Sequence, residues 1–99
     1  MGKIYAIVKG SREKIGRIVE VDNTLKAFQK IVGGYIQAVP VSDDLTVICD
    51  EEGLIKGYPL NCWVGSIGFH GTIAVVGTNG EEFADVPISL DEWERIIYG

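Results

Sequence analysis

The segment Asp22-Asn23-Thr24-Leu25-Lys26-Ala27-Phe28-Gln29-Lys30-Ile31-Val32-Gly33-Gly34-Tyr35-Ile36-Gln37 constrains the fold more than any other part of the chain. Asp22 or Asn23 can accept from the free backbone N–H groups of a first helical turn. Leu25, Phe28, Ile31 and Val32 then fall on one face of a helix. Gly33 stops that helix, because a C-terminal cap commonly needs a left-handed backbone that glycine adopts at little cost. Gly34 lets the chain reverse, and Tyr35 opens a strand. Turn, capped helix, glycine stop and strand together fix a backbone route.

On either side of this segment the apolar residues recur at the period of a strand. Residues 3 to 9 alternate Ile4, Ala6 and Val8 with Lys3, Tyr5 and Lys9, and residues 14 to 21 carry Ile15, Val19 and Val21, so Gly10-Ser11 joins two antiparallel strands. Residues 35 to 41 and 45 to 50 read as strands joined through Ser42-Asp43-Asp44. Pro40 has no N–H to donate, so the first of these pairs on one side only near that point. Leu54-Ile55-Lys56 reads as a weak fifth strand, and Gly57-Tyr58-Pro59-Leu60-Asn61 as irregular, since proline restrains itself and its predecessor.

Thr72-Ile73-Ala74-Val75-Val76 is a continuous apolar run, the signature of a strand buried on both faces. Thr78-Asn79-Gly80 then predicts a hairpin that pairs residues 82 to 86 back on it. Ser89-Leu90-Asp91-Glu92 is a capping box, opening a terminal helix with Leu90, Trp93, Ile96 and Ile97 apolar. The expected order is β-β-α-β-β-β-β-β-α. Hairpin-like connections dominate it, so the fold class is α+β, with an antiparallel or mixed sheet of about six strands and two helices.

At 99 residues, with 46% apolar and 23% charged residues, the chain is expected to form a single domain over residues 1–99. No apolar run approaches the roughly 20 residues needed to span a bilayer, and the N-terminus reads as a strand, unlike an export signal. A cytoplasmic protein without membrane association follows. Cys49 and Cys62 are too few and too far apart for a metal knuckle or redox pair, and read as buried free thiols.

The net charge of −5 is unevenly divided: residues 1 to 30 hold seven Lys and Arg against three acids, residues 31 to 99 two against eleven. Overall acidity disfavours nucleic acid, whose binding depends on phosphate neutralisation. Lys9-Gly10-Ser11-Arg12-Glu13-Lys14 reads as a solvated hairpin tip. The acidic clusters in the turns, Asp43-Asp44 and Asp50-Glu51-Glu52, lack the alternating ligands of a calcium loop, so no metal is expected.

The run Asp22 to Gln29, Val32-Gly33-Gly34-Tyr35-Ile36, then Glu51-Glu52-Gly53, Lys56-Gly57, Pro59-Leu60-Asn61, Gly71-Thr72 and Val76-Gly77 resembles the uncharacterised family numbered 3846 among the domains of unknown function. The resemblance covers about 60 residues, from Asp22 to Gly80, and its specific part is the helix with the VGGYI exit. It implies a small cytoplasmic protein of phage or mobile-element background, and it implies no reaction. The stretch Cys62–His70 is more apolar than the family pattern.

Nothing in the sequence assembles a catalytic group. His70 stands alone and reads as structural, Ser89 is used as a cap, and no base is placed beside Cys62. The chain is expected to be no enzyme and to take no cofactor. Two functional classes stay open. A protein-interaction module would use Trp63, Val64, Ile67 and Phe69 for a protein partner or a homodimer, if that segment is surface and not core. A small-ligand, nucleotide-like binder would use Tyr35, Tyr58 and Asn61 to stack on and hydrogen-bond a base.

Overall fold

The computed structural model describes residues 2–98. Nine strands and two helices follow in the order β1 (Lys3–Lys9), β2 (Arg17–Asp22), α1 (Leu25–Val32), β3 (Ile36–Pro40), β4 (Leu45–Asp50), β5 (Leu60–Val64), β6 (Ile67–His70), β7 (Ile73–Asn79), β8 (Glu82–Ala84), α2 (Leu90–Ile96) and β9 (Ile97–Tyr98). The fold is α+β. Six strands form one antiparallel sheet in the order β2-β1-β7-β4-β3, with β8 pairing the end of β7, and β6-β5-β9 form a second, smaller sheet.

The large sheet is covered on both faces, which explains its continuous apolar runs. Alternate side chains of the central strands go to opposite layers. Ala6 and Val8, Ile48, Ala74 and Val76 meet Phe28 and Val32 of α1. Ile7, Val47, Cys49, Ile73 and Val75 meet Cys62, Val64 and Phe69 of the small sheet and Trp93 of α2. Helix, large sheet, and small sheet plus second helix make three layers. Each fully buried large apolar side chain contributes about 1.5–3 kcal/mol. Ile73–Val76 is fully buried, as its sequence predicts, and β4 is buried along all six residues.

Local chemistry sets the ends of the elements. The cap of α1 is Thr24, one residue later than expected, its hydroxyl accepting from the Ala27 N–H. Asp22 belongs to β2 and pairs with Lys3 at 3.0 Å, and Asn23 donates to the Phe83 carbonyl. Gly33 ends the helix at φ 98°, the left-handed cap read from the sequence. Of the predicted apolar face, Phe28 and Val32 are buried and Ile31 half-buried, while Leu25 in the first turn points to solvent. Ser89 and Glu92 form the expected capping box.

Two expectations are corrected. Leu54-Ile55-Lys56 is no strand: residues 51–57 coil into consecutive turns, with Lys56 N–H bonding the Glu52 carbonyl and Gly57 N–H that of Leu54. The Asp50 carboxylate accepts from the Glu52 N–H and the Lys56 ammonium, so side-chain bonds hold these turns shut. The pairing partner lies further on: Leu60-Asn61, expected within the irregular stretch from Gly57, open β5 (Leu60–Val64), which forms a hairpin with Ile67–His70 about Gly65-Ser66.

Candidate functional site

The hairpin of β5 and β6 splits the four predicted interface residues between its two faces. Val64 and Phe69 point into the core and are 8% and 2% exposed. Val64 is closed off in the core, while Phe69 also meets the floor of a groove beside β6. Trp63 lies opposite Gly68 on one flank and Tyr98 on the other, and is 38% exposed. A Cβ at Gly68 would stand 3.1 Å from the indole, so that glycine makes room for Trp63 to lie flat over the strand. Ile67 is opposite Val64 at the edge and remains 39% exposed. The segment is therefore core on one side and surface on the other.

The three residues predicted to hold a base do not converge. Tyr35 is exposed on a shallow depression shared with Gln29, Gly34 and Lys56. Tyr58 is half-buried, its ring 5.7 Å from the Lys56 ammonium and its hydroxyl near Gly33. Asn61 is buried beneath a different cavity, where its amide donates to the Lys9 and Gly71 carbonyls at 2.8 Å each. Both N–H groups of Asn61 are thereby committed to the backbone. Between the two tyrosines sits a salt bridge of 2.8 Å from Lys56 to Asp50. Burial pushes the Asp50 carboxyl up, but the bonds from Lys56 and the Glu52 N–H, with the Lys56 charge, outweigh it and hold the group below the usual range.

Lys9, expected from the sequence in a solvated hairpin tip, is instead buried at the end of β1. It closes β1 on the same side as Ile7, where the small sheet covers the strand, and is only 2% exposed. Its ammonium bonds Asn61 Oδ1 at 2.7 Å and reaches the Asn61 carbonyl at 3.5 Å. The signal available was Ile7, an apolar residue on the otherwise polar odd-numbered face of β1. It marks the point where that face passes under cover.

A groove of about 320 Å³ runs between the β3 side of the large sheet and β6, lined by Val39, Cys49, Leu54, Ile67 and Phe69 among others. Its upper border is an open sheet edge. The Glu51 N–H bonds the Tyr35 carbonyl, and the Val41 N–H the Leu45 carbonyl, so in an antiparallel ladder Tyr35, Gln37, Val39 and Val41 turn their backbone groups toward β4. Ile36, Ala38 and Pro40 turn theirs outward. Pro40 thus sits where its missing donor breaks no bond of the sheet, as its sequence position predicts.

Cys49 and Cys62 are buried free thiols, each pushed up by burial. His70 Nδ1 lies 3.2 Å from the Tyr58 carbonyl. Among the described residues no helix is long and apolar enough to cross a membrane.

The family model described as Domain of unknown function (DUF3846) matches residues 4–96. The chain belongs to this family. The match takes in β1 and α2, beyond the Asp22 to Gly80 stretch that carries the resemblance in the sequence, so all three layers and the groove between the two sheets fall within it. No curated protein and no solved structure matches the chain.

Proposed function

We propose that this DUF3846 domain is a non-catalytic protein-interaction module of a phage or mobile-element protein, acting in the cytoplasm, and that its partner adds an extended strand to β3. The observation that carries the reading is the charge pattern of the edge. Gly33–Ser42 contains no charged side chain, whereas the opposite edge strand, β2, carries Arg17, Glu20 and Asp22. Sheet edges left to solvent are ordinarily blunted by charge, and an uncharged open edge invites pairing.

The outward N–H and C=O groups of Ile36 and Ala38 supply the backbone bonds, and the Pro40 carbonyl ends the strip. The groove beside them, lined by Val39, Leu54 and Ile67 and also by Gln37, Glu51 and His70, supplies mixed apolar and polar sockets for alternate side chains of the added strand, which is how strand addition gains specificity. Exposed Leu54 and Ile55 extend the apolar surface at one end, 72% and 85% exposed. Of the residues expected from sequence, Ile67 and Phe69 line this groove, while Trp63 lies on the outer face of the hairpin.

Ala38→Pro tests the reading, because it removes an outward donor without removing a bond to β4. The measurements are mass in solution and capture of partners from host lysate, made on wild type and variant. Loss of dimer or of captured partner in the folded variant is expected. A wild-type chain that is monomeric and captures nothing, or a variant that associates as wild type does, would sink the proposal.

A further inference from the structure

A second cavity, of about 340 Å³, opens on the opposite side of the small sheet, between the β1–β2 turn and the α2–β9 junction. At its wall lies the buried ammonium of Lys9. Lysine is almost never fully buried without a carboxylate partner, yet among the described residues no carboxylate lies within ion-pair distance of this one. Its two acceptors are the side-chain and backbone oxygens of Asn61, at 2.7 and 3.5 Å. An ammonium has three N–H donors, so among the described residues one is left without an acceptor.

Asn61 cannot turn to relieve this, since its amide is locked between the Lys9 and Gly71 carbonyls. The lysine head is thus held in place by an oxygen that neutralises none of its charge. Glu13 also lines the cavity, but its carboxylate is taken by the Gly10 N–H at 2.7 Å and by Arg17 at 2.9 Å. Ser11 and Lys14 add a hydroxyl and a second ammonium to the lining.

We propose that this cavity binds a small monocarboxylate, one carboxylate oxygen accepting from Lys9 Nζ and the other facing Ser11 and Lys14. A dianion such as phosphate fits worse, because Glu13 and Glu94 share the lining and would repel the second charge. The site is distinct from the β3 groove and does not depend on the protein-interaction reading.

The test is NMR titration of the wild-type chain at pH 8, where inorganic phosphate is mostly the dianion, with acetate, propionate, glycine and alanine, against inorganic phosphate and chloride at matched ionic strength. The reporters are the Lys9 side chain and the Asn61 side-chain amide. Saturable shifts at both with at least one carboxylate, and none with phosphate or chloride, are expected. In parallel, a carboxylate at tenfold over its Kd should raise the melting temperature by about 6 °C, and Lys9→Met should abolish that rise. The proposal is overturned if no carboxylate moves the two reporters, if phosphate or chloride moves them equally, or if a folded Lys9→Met variant keeps the rise. The wild-type titration decides the matter even where the variant fails to fold.

Discussion

Asp50 is where single-residue chemistry matters most to this fold. The residue is 5% exposed and its carboxylate receives Lys56 and the Glu52 N–H, so it ties the 51–57 turns to the end of β4. Asp50→Asn should cost about 2 kcal/mol at pH 7 by urea unfolding, the scale of hydrogen bonds to a charged group. Because the folded carboxyl is held below its usual value, its stabilisation is present above the unfolded pKa of about 3.9 and is lost as pH falls through the folded value. The difference between wild type and Asp50→Asn should therefore shrink below about pH 4. Gly33 is the second sensitive position: at φ 98° any side chain is strained, and Gly33→Ala should lower stability by about 1 kcal/mol, read from thermal unfolding. Its role was legible from the sequence, since a glycine after an apolar helical face has few other uses. Lys9 and Asn61 were not legible as a pair, because 52 residues separate two groups that meet only when β1 and β5 stack.

At the level of elements, the two tryptophans make opposite predictions. Trp93 is fully buried under the large sheet and donates its indole N–H to the Ile15 carbonyl at 3.1 Å, fastening α2 to the β1–β2 connection. Trp93→Ala should cost about 3–5 kcal/mol. Trp63 lies over Gly68 and is partly solvated, so Trp63→Ala should cost about 1 kcal/mol, the two compared by chemical denaturation under the same conditions. The sequence distinguishes them in part, since Trp93 follows a capping box on a helix while Trp63 sits in the run Cys62-Trp63-Val64, whose unbroken apolarity does not tell core from surface. That stretch hid the β5–β6 hairpin: Pro59 argued for irregular chain, and the Gly65-Ser66 turn between Val64 and Ile67 was the overlooked signal. Leu54-Ile55 misled in the other direction, two apolar residues that the sequence could offer to a sheet but that turns tied by Asp50 keep outside it.

For the whole molecule, three layers leave one uncharged sheet edge open, and association is expected there. Ala38→Pro should change melting temperature little, equivalent to about 1 kcal/mol or less, because no bond within the sheet involves the outward Ala38 N–H. It should abolish association, as measured by solution mass. An equal loss of stability and association would mean that β3 unfolds, which separates a damaged strand from a blocked edge.

The sequence by itself determined the α+β class, the helix with its glycine exit, the Ser89 capping box, the doubly buried β7 and the family. Each rests on contacts within a few residues, or on a periodicity that any burial partner satisfies. Only the tertiary structure decided which face of the β5–β6 hairpin is core, that Lys9 is buried on Asn61, and that β3 is an open edge beside a groove. Those outcomes depend on which strands become neighbours, and neighbours distant in the chain are chosen by packing of the whole core.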